Sequence, residues 1–233
     1  MNATPRALAA ATGASAPEVA APRDRLGRPL HDLRVSVIET CNFRCPYCMP
    51  EAHVDAAPRL DRSARLRFDE IETAVRAFVR LGVSKVRLTG GEPLLRRDLP
   101  DLVARLAAIP GIDDLALTTN GSLLAAQAKA LRDAGLHRLT VSLDSLDPAR
   151  FRALSGGRGE LDDVLAGLAA AEAAGFRSIK INCVVQRGVN DDDVTAIAAR
   201  FRDTPHVPRF IEYMDVGTCN GWSRSRVVPS AYA

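Results

Sequence analysis

No stretch of about 18 consecutive apolar residues occurs anywhere in the chain, so no transmembrane helix is expected and no membrane partner is read. Lys and Arg never gather into the long runs that mark nucleic-acid-binding tails. The formal charge is only +3 with 25% charged residues; so slight a basic excess suits an anionic small molecule as readily as a nucleic acid. Cysteine is sparse, 5 in 233 residues, and with 47% hydrophobic composition and no secretory segment the profile is that of a reduced, cytoplasmic, globular chain rather than a disulfide framework. His31, His53, His137 and His206 are scattered and fit no metal spacing. Residues 1–25 are rich in Ala and Pro with little large apolar content, and are read as a disordered extension.

Three of the few cysteines stand together. Cys41, Cys45 and Cys48 lie in CNFRCPYC, directly after an apolar alternating run, with C-x3-C-x2-C spacing. Soft thiolates select iron-sulfur clusters, zinc or copper(I). A four-iron cubane with three cysteine ligands leaves one iron without a protein thiolate, which is the arrangement of a cluster that binds a substrate; electron carriers normally fill all four positions. The alternative, structural zinc, usually takes four ligands in two pairs. Its nearest fourth candidate here is His53, five residues past Cys48.

The rest of the chain alternates between two periods. Strand patterns run over Arg34–Ile38, Lys85–Thr89, Asp114–Thr119, Arg138–Leu143, Ser178–Val185 and Pro208–Met214. Helical i, i+3, i+4 patterns lie near Asp69–Leu81, Asp98–Ala108, Ser122–Ala134, Glu160–Ala174 and Asp191–Arg202, several opening on Asp or Ser and closing on Gly82, Gly135 or Gly175. Sequential βα units predict an α/β fold with a parallel sheet, closed into a barrel or left open. Functional residues then belong at the C-terminal strand ends. The cysteines, TGGEPLL, TTNG, SLDS and EYMDVG all follow strands in this way.

The residue types at those ends suggest roles. Tyr47 can lie against an adenine, or simply plug the barrel mouth. Gly90 and Gly91 let backbone approach a ligand, and Glu92 can accept from an amino group. Ser142 can bind a carboxylate or ribose, or cap the next loop. Arg34, Arg87 and Lys180 sit in or at the starts of strands, where a charge is costly unless paired or bound to an anion. A triphosphate would satisfy them; so would ion pairs with Glu92, Asp144 or Glu212. Cys183 reads as a small buried hydrophobe and Cys219 as a lone loop thiol.

CNFRCPYC, the GGEP of Gly90–Pro93 and the βα repeat resemble the radical S-adenosylmethionine (SAM) superfamily, whose fold is a partial (β/α)6 TIM-like barrel. More narrowly, DRLGRPLHDLRVSVIETCNFRCPYCMPE, VRLTGGEPLLRRDL, LTTNGSLL, VSLDSLDPARF and RFIEYMDVG resemble the GTP 3',8-cyclase family of molybdenum cofactor biosynthesis, over about residues 24–228. The resemblance implies a [4Fe-4S] cluster on Cys41, Cys45 and Cys48, with S-adenosyl-L-methionine bound at its open iron. It places Tyr47, Gly91, Ser142 and Met214 at SAM positions and Arg34, Arg87, Thr118 and Lys180 at GTP positions. The implied reaction is that of a lyase: a 5'-deoxyadenosyl radical takes hydrogen from the 3' carbon of GTP, and ring closure gives 3',8-cyclo-7,8-dihydro-GTP. Implied partners are a flavodoxin or ferredoxin as electron donor, a second copy of the chain in a homodimer, and cyclic pyranopterin monophosphate synthase downstream. The expected organisation is a core over residues 26–215, with 216–233 opening a C-terminal region whose second-cluster ligands are absent from this sequence. Two other readings stay open: a non-catalytic iron-sulfur or SAM-binding fragment, and a radical SAM enzyme of other specificity.

Overall fold

The computed structural model describes residues 22–51, 64–216 and 220–232. Residues 1–21, most of the expected N-terminal extension, lie outside the described residues, as do His53 and Cys219. Six parallel strands form one sheet in sequential order: β1 (Asp32–Ser36), β2 (Lys85–Thr89), β3 (Asp114–Thr119), β4 (Arg138–Ser142), β5 (Lys180–Val185) and β6 (Val207–Glu212). A doubly wound sheet reverses its strand order at a switch point. Here every crossover leads to the next neighbour, which is the barrel arrangement, and the sheet stops at six strands with β1 and β6 as its edges. The fold is a partial (β/α)6 TIM-like barrel, and the ambiguity left by the sequence is resolved by strand order.

Among the described residues, α-helices include α1 (Phe68–Arg80), α2 (Leu99–Ala107), α3 (Leu124–Asp133), α4 (Pro148–Leu154), α5 (Leu161–Ala173) and α6 (Asp193–Phe201). Five match the periodic segments within about two residues. The sixth, α4, is too short for a periodic signal. Its start was nonetheless written in Asp147-Pro148: the Asp147 side chain accepts the Arg150 N–H at 2.7 Å, and Pro148 fills the first turn. Strand β1 begins two residues earlier than its pattern suggests, because Asp32 and Leu33 pair with Lys85 and Val86.

Strand side chains divide by period two. Val86, Leu88, Leu115, Leu117, Leu139, Val141, Ile179 and Ile181 are fully buried against the helices and make the core. The alternate residues face the lumen in rows set by the register. Arg34, Arg87, Ala116 and Arg138 form one row; Thr118, Thr140 and Lys180 form the next; Ser142, Asn182 and Arg209 form a third, nearest the C-terminal strand ends.

Residues 220–232 pack back on this frame. Trp222 Nε1 donates to the Tyr213 carbonyl at 3.0 Å, Val227 bridges Gln186, and Val228 joins the edge of the core. Helices α3 and α5 meet closely at Gly167, where a Cβ would stand 2.5 Å from the Gly121 carbonyl oxygen and 3.0 Å from Leu124 Cβ. Alanine gains about 1 kcal/mol in helix propensity, but overpacking against backbone typically costs about 1–3 kcal/mol. Gly167→Ala is therefore expected to lower stability on balance, seen as a reduced urea midpoint with an unchanged m value.

Candidate active site

The cysteine loop is fastened at several points. Phe43 is buried and meets Phe151 edge-on with ring centroids 6.2 Å apart. Arg44 turns inward and donates to the carbonyls of Cys41 at 2.6 Å and Phe43 at 2.8 Å, while its own N–H donates to the Ser155 carbonyl at 2.9 Å. The N–H groups of Cys48 and Met49 both donate to the Cys45 carbonyl, closing a turn around Pro46 and Tyr47. Asn220 donates from Nδ2 to the Tyr47 carbonyl at 3.1 Å, so the segment after β6 also holds this loop.

Beneath the loop lies an open cavity of about 140 Å³. Cys41, Cys45 and Cys48 all line it, together with Tyr47, Gly91, Glu92, Thr118 and Ser142. Eight of the twelve residues expected at the site thus meet around one space. Arg34, Arg87 and Lys180 lie lower on the same lumen face. Met214 does not join them: it stands at the rim after β6 with its side chain exposed, its carbonyl accepting from Asn220 Nδ2.

Two of these residues also hold the loops together. Gly91 N–H donates to the Ile38 carbonyl at 2.7 Å, and a Cβ there would stand 2.2 Å from the Thr40 carbonyl oxygen. Glu92 is buried with both oxygens engaged. It accepts from Leu94 N–H, Thr119 Oγ1 and Asn120 N–H at 3.0, 2.6 and 2.7 Å, which ties the loop after β2 to the end of β3. Burial pushes the Glu92 carboxyl up, partly offset by these donors. The capping alternative for Ser142 falls away, since Ser145 and Asp147 supply the turn and cap that follow β4. Ion pairing of the lumen cations also falls away. Among the described residues Arg34, Arg87 and Lys180 form no salt bridge, and the acids suggested for them are occupied: Asp144 by Tyr47 and Val184, Glu212 by the Ser230 N–H.

Asp144 is the residue whose weight the sequence did not convey. It accepts the Tyr47 hydroxyl at 2.5 Å and the Val184 N–H at 2.8 Å, joining the cysteine loop to β5. Burial holds its carboxyl up at about 6. Cys183 is fully buried and donates to the Asp144 carbonyl at 3.6 Å, in keeping with a small core residue.

The site's chemistry fits an iron-sulfur cluster. Burial pushes the Cys41 thiol up and the Cys45 thiol up to about 12, so thiolates here need a bound cation to offset their lost solvation. Among the described residues no group of three or more His, Cys, Asp or Glu side chains is gathered to hold a single metal ion. A cubane makes no such demand, because each thiolate meets a different iron. On the lumen face, Thr118 Oγ1 and Asn182 Oδ1 are buried without a hydrogen-bond partner among the described residues. Burial first, and then the neighbouring Arg34, Arg209 and Arg138, lower Arg87; burial, Arg138 and Arg209 likewise lower Lys180. The Thr118 hydroxyl beside mutually repelling cations can donate to a bound anion, while Asn182 Oδ1 calls for a donor such as a sugar hydroxyl.

Residues 35–201 match the radical SAM superfamily. The chain belongs to that superfamily. A [4Fe-4S] cluster and S-adenosylmethionine are accordingly its cofactors. The curated relatives include proteins named GTP 3',8-cyclase. The one from Xanthomonas axonopodis pv. citri (strain 306) is 66% identical over 90% of this chain and 63% of its own length. The one from Acidothermus cellulolyticus is 60% identical over 90% of this chain and 58% of its own length, and the one from Staphylococcus carnosus is 48% identical over 88% and 60%. This chain thus spans roughly three fifths of those relatives. Among solved structures, methylornithine synthase aligns with a TM-score of 0.62 at 19% identity, over 84% of this chain and 57% of that one. The hydrogenase maturase HydG from Carboxydothermus hydrogenoformans aligns at 0.63 and 17%, over 85% and 47%. These two likenesses establish the fold.

Two outcomes follow. Gly91→Ala should displace the Thr40–Cys41 backbone and lower the iron content of reconstituted protein, measured by iron and sulfide assay. For Asp144, a folded-state pKa near 6 against 3.8 for the free acid means the unfolded chain gives up the proton first. Wild-type stability therefore falls as pH rises between those two values and is level above them. Asp144→Asn removes that dependence, so denaturation at pH 4 and pH 7 should show the variant gaining on wild type by up to about 3 kcal/mol.

Proposed function

We propose that this chain carries the SAM-binding and triphosphate-binding half of a GTP 3',8-cyclase, the lyase that opens molybdenum cofactor biosynthesis. The observation that supports it above all is the lumen: cations without acidic partners, set below a three-cysteine loop on the same inner face. A peptide-modifying radical SAM enzyme would have little use for Arg34, Arg87 and Lys180, none of which forms a salt bridge among the described residues. High identity to proteins named GTP 3',8-cyclase points the same way. The chain covers only part of those relatives, so the activity is assigned here as a proposal.

In this reading Cys41, Cys45 and Cys48 hold the cluster, Tyr47, Gly91 and Ser142 line the SAM position, and Met214 stands at its rim. The reduced cluster with bound S-adenosylmethionine supplies a 5'-deoxyadenosyl radical able to remove hydrogen from a ribose carbon. The residues of the chain bind and orient. Arg34 and Arg87 present planar guanidinium donors to phosphate and Lys180 a point charge. Thr118 offers a buried hydroxyl one row higher. Successive lumen rows are about 6.6 Å apart, so an extended nucleoside triphosphate can lie along the strands with phosphates low and sugar nearer the cysteine loop. A flavodoxin-like or ferredoxin-like donor, a homodimer, a cytoplasmic setting and a downstream cyclic pyranopterin monophosphate synthase complete the proposal.

The test is anaerobic. Protein reconstituted with iron and sulfide is reduced and given S-adenosylmethionine with and without GTP, and 5'-deoxyadenosine and cyclised nucleotide are quantified by mass spectrometry. GTP-dependent 5'-deoxyadenosine with cyclised product is expected of a complete site. Release of 5'-deoxyadenosine without product, with or without GTP, would instead support a radical-generating fragment. Cys45→Ala should lose the cluster. Arg87→Met should weaken GTP binding at least about tenfold, a charged hydrogen bond being worth about 1.5–3 kcal/mol, while the unliganded protein becomes more stable because a repelling charge is gone. Equal GTP affinity in that variant would remove the phosphate assignment.

A further inference from the structure

We propose that Asn120 sets the reduction potential of the cluster by donating its side-chain N–H to the sulfur of Cys41. The inference rests on the reading of Cys41, Cys45 and Cys48 as the cluster ligands, and does not depend on GTP being the substrate.

Asn120 directly follows β3 in the TTNG segment and lines the same cavity as the three cysteines. Its Nδ2 lies 3.9 Å from Cys41 Sγ and 2.8 Å from Asn42 Oδ1. The orientation of the amide is settled by its surroundings. Oδ1 faces the backbone N–H of Ser122 at 3.0 Å, a group that can only donate, so the oxygen belongs there and the nitrogen must face the sulfur. Three side chains then close a ring in which every member both gives and receives: Asn120 Nδ2 to Asn42 Oδ1, Asn42 Nδ2 to Ser122 Oγ at 2.9 Å, and Ser122 Oγ to Asn120 Oδ1 at 2.8 Å. The backbone is held too, since Asn120 N–H donates to Glu92 Oε2 at 2.7 Å. The amide cannot turn away from Cys41 without breaking several of these bonds. A second donor, the Phe43 N–H, reaches the same sulfur at 3.4 Å.

Donors aimed at a ligating sulfur stabilise the more negative, reduced state of an iron-sulfur cluster and so raise its potential. The ring includes Asn42, the residue next to Cys41, so it also fixes the direction from which the thiolate reaches its iron. Asn120 is thus a positioning residue that acts through Cys41. The sequence displays it as an ordinary Asn-Gly turn, which explains the geometry of Gly121 and says nothing of the sulfur.

The experiment is an EPR-monitored redox titration of reconstituted protein at pH 8, without S-adenosylmethionine or GTP, with iron content measured in parallel. Asn120→Leu removes the donor without adding charge and should lower the midpoint potential. Asn120→Asp keeps the shape and the oxygen that Ser122 requires, and should lower it as well, because an ionised carboxylate beside the sulfur adds negative charge. Ser122→Ala cuts two bonds of the ring but leaves the Asn120 donor, and should stay close to wild type. A fully loaded Asn120→Leu or Asn120→Asp protein with the wild-type potential overturns the proposal, as does an equal drop in Ser122→Ala. Loss of the cluster from both Asn120 variants while Ser122→Ala loads fully would assign Asn120 to holding the loop together and would equally overturn it. Failure of the wild-type protein to take up four irons would instead refute the ligand assignment on which the inference stands.

Discussion

Two backbone hydrogen bonds between the ends of neighbouring strands organise the site: Gly91 N–H to the Ile38 carbonyl and Glu92 N–H to the Thr40 carbonyl, at 2.7 and 2.8 Å. They draw the segment after β2 against the segment after β1, one residue before the first cysteine. An approach this close leaves no room for a side chain at residues 90 and 91, which are both glycine: a Cβ at Gly90 would meet the Ile38 carbonyl oxygen at 2.4 Å and one at Gly91 the Thr40 oxygen at 2.2 Å. Once the strand ends are joined, Glu92 is carried inward to gather Thr119 and Asn120 from β3, and Asn120 in turn reaches Asn42 and Cys41. The cysteine loop therefore takes its place from three successive strands rather than from its own sequence.

A second set of contacts holds the far side of the loop. Tyr47 reaches Asp144 after β4, Asp144 reaches Val184 in β5, and Asn220 reaches Tyr47 from beyond β6. Each bond involves a partly or fully buried polar group, and a buried donor or acceptor left alone costs about 1–3 kcal/mol. The penalty for a misplaced loop is thus spread over several strands. That suits a site that must hold three sulfurs at fixed separation, where small displacements cost affinity and rate steeply.

Much of this was legible in the sequence, and the reasons differ by level. The strands and long helices showed themselves because period two and period 3.6 carry over from residue pattern to burial; β2 and β3 fall where the pattern put them, and α1, α2, α3, α5 and α6 within about two residues. Helix α4 escaped periodicity because seven residues make barely two turns. The cysteines were legible through spacing alone, since all three lie within eight residues. Glu92 was found at the site, but its role in tying strand ends together was not, because a sequence does not show that Thr119 and Asn120 return to it from across a helix. Asp144 was read only as a possible ion-pair acid, and Asn120 was passed over, for the same reason. Their partners lie 97 and 79 positions away, at Tyr47 and Cys41 respectively, and neither has a local pattern that distinguishes a structural carboxylate or amide from a turn residue.

The lumen explains why strands rich in Val, Leu and Ile should carry isolated Arg and Lys at alternate positions. Outward residues supply the core, and their burial, at about 25 cal/mol per Å² of apolar surface, stabilises the sheet irrespective of what faces inward. Inward residues are consequently free to be unfavourable. Arg34, Lys85, Arg87, Arg138, Lys180 and Arg209 share that face with only Asp32 and Asp114 as strand-borne acids; Lys85 pairs with Asp32 and Arg138 with Asp114. The remaining charges repel one another in partly desolvated surroundings. An anion that enters relieves this repulsion in the folded chain and finds no equivalent cluster in the unfolded one, so binding is coupled to stability by mass action. Strain of this kind is useful only where a ligand removes it. The uncompensated cations therefore mark the lumen as a binding surface independently of the cysteines above it, and the two features converge because the same six strands end beside both.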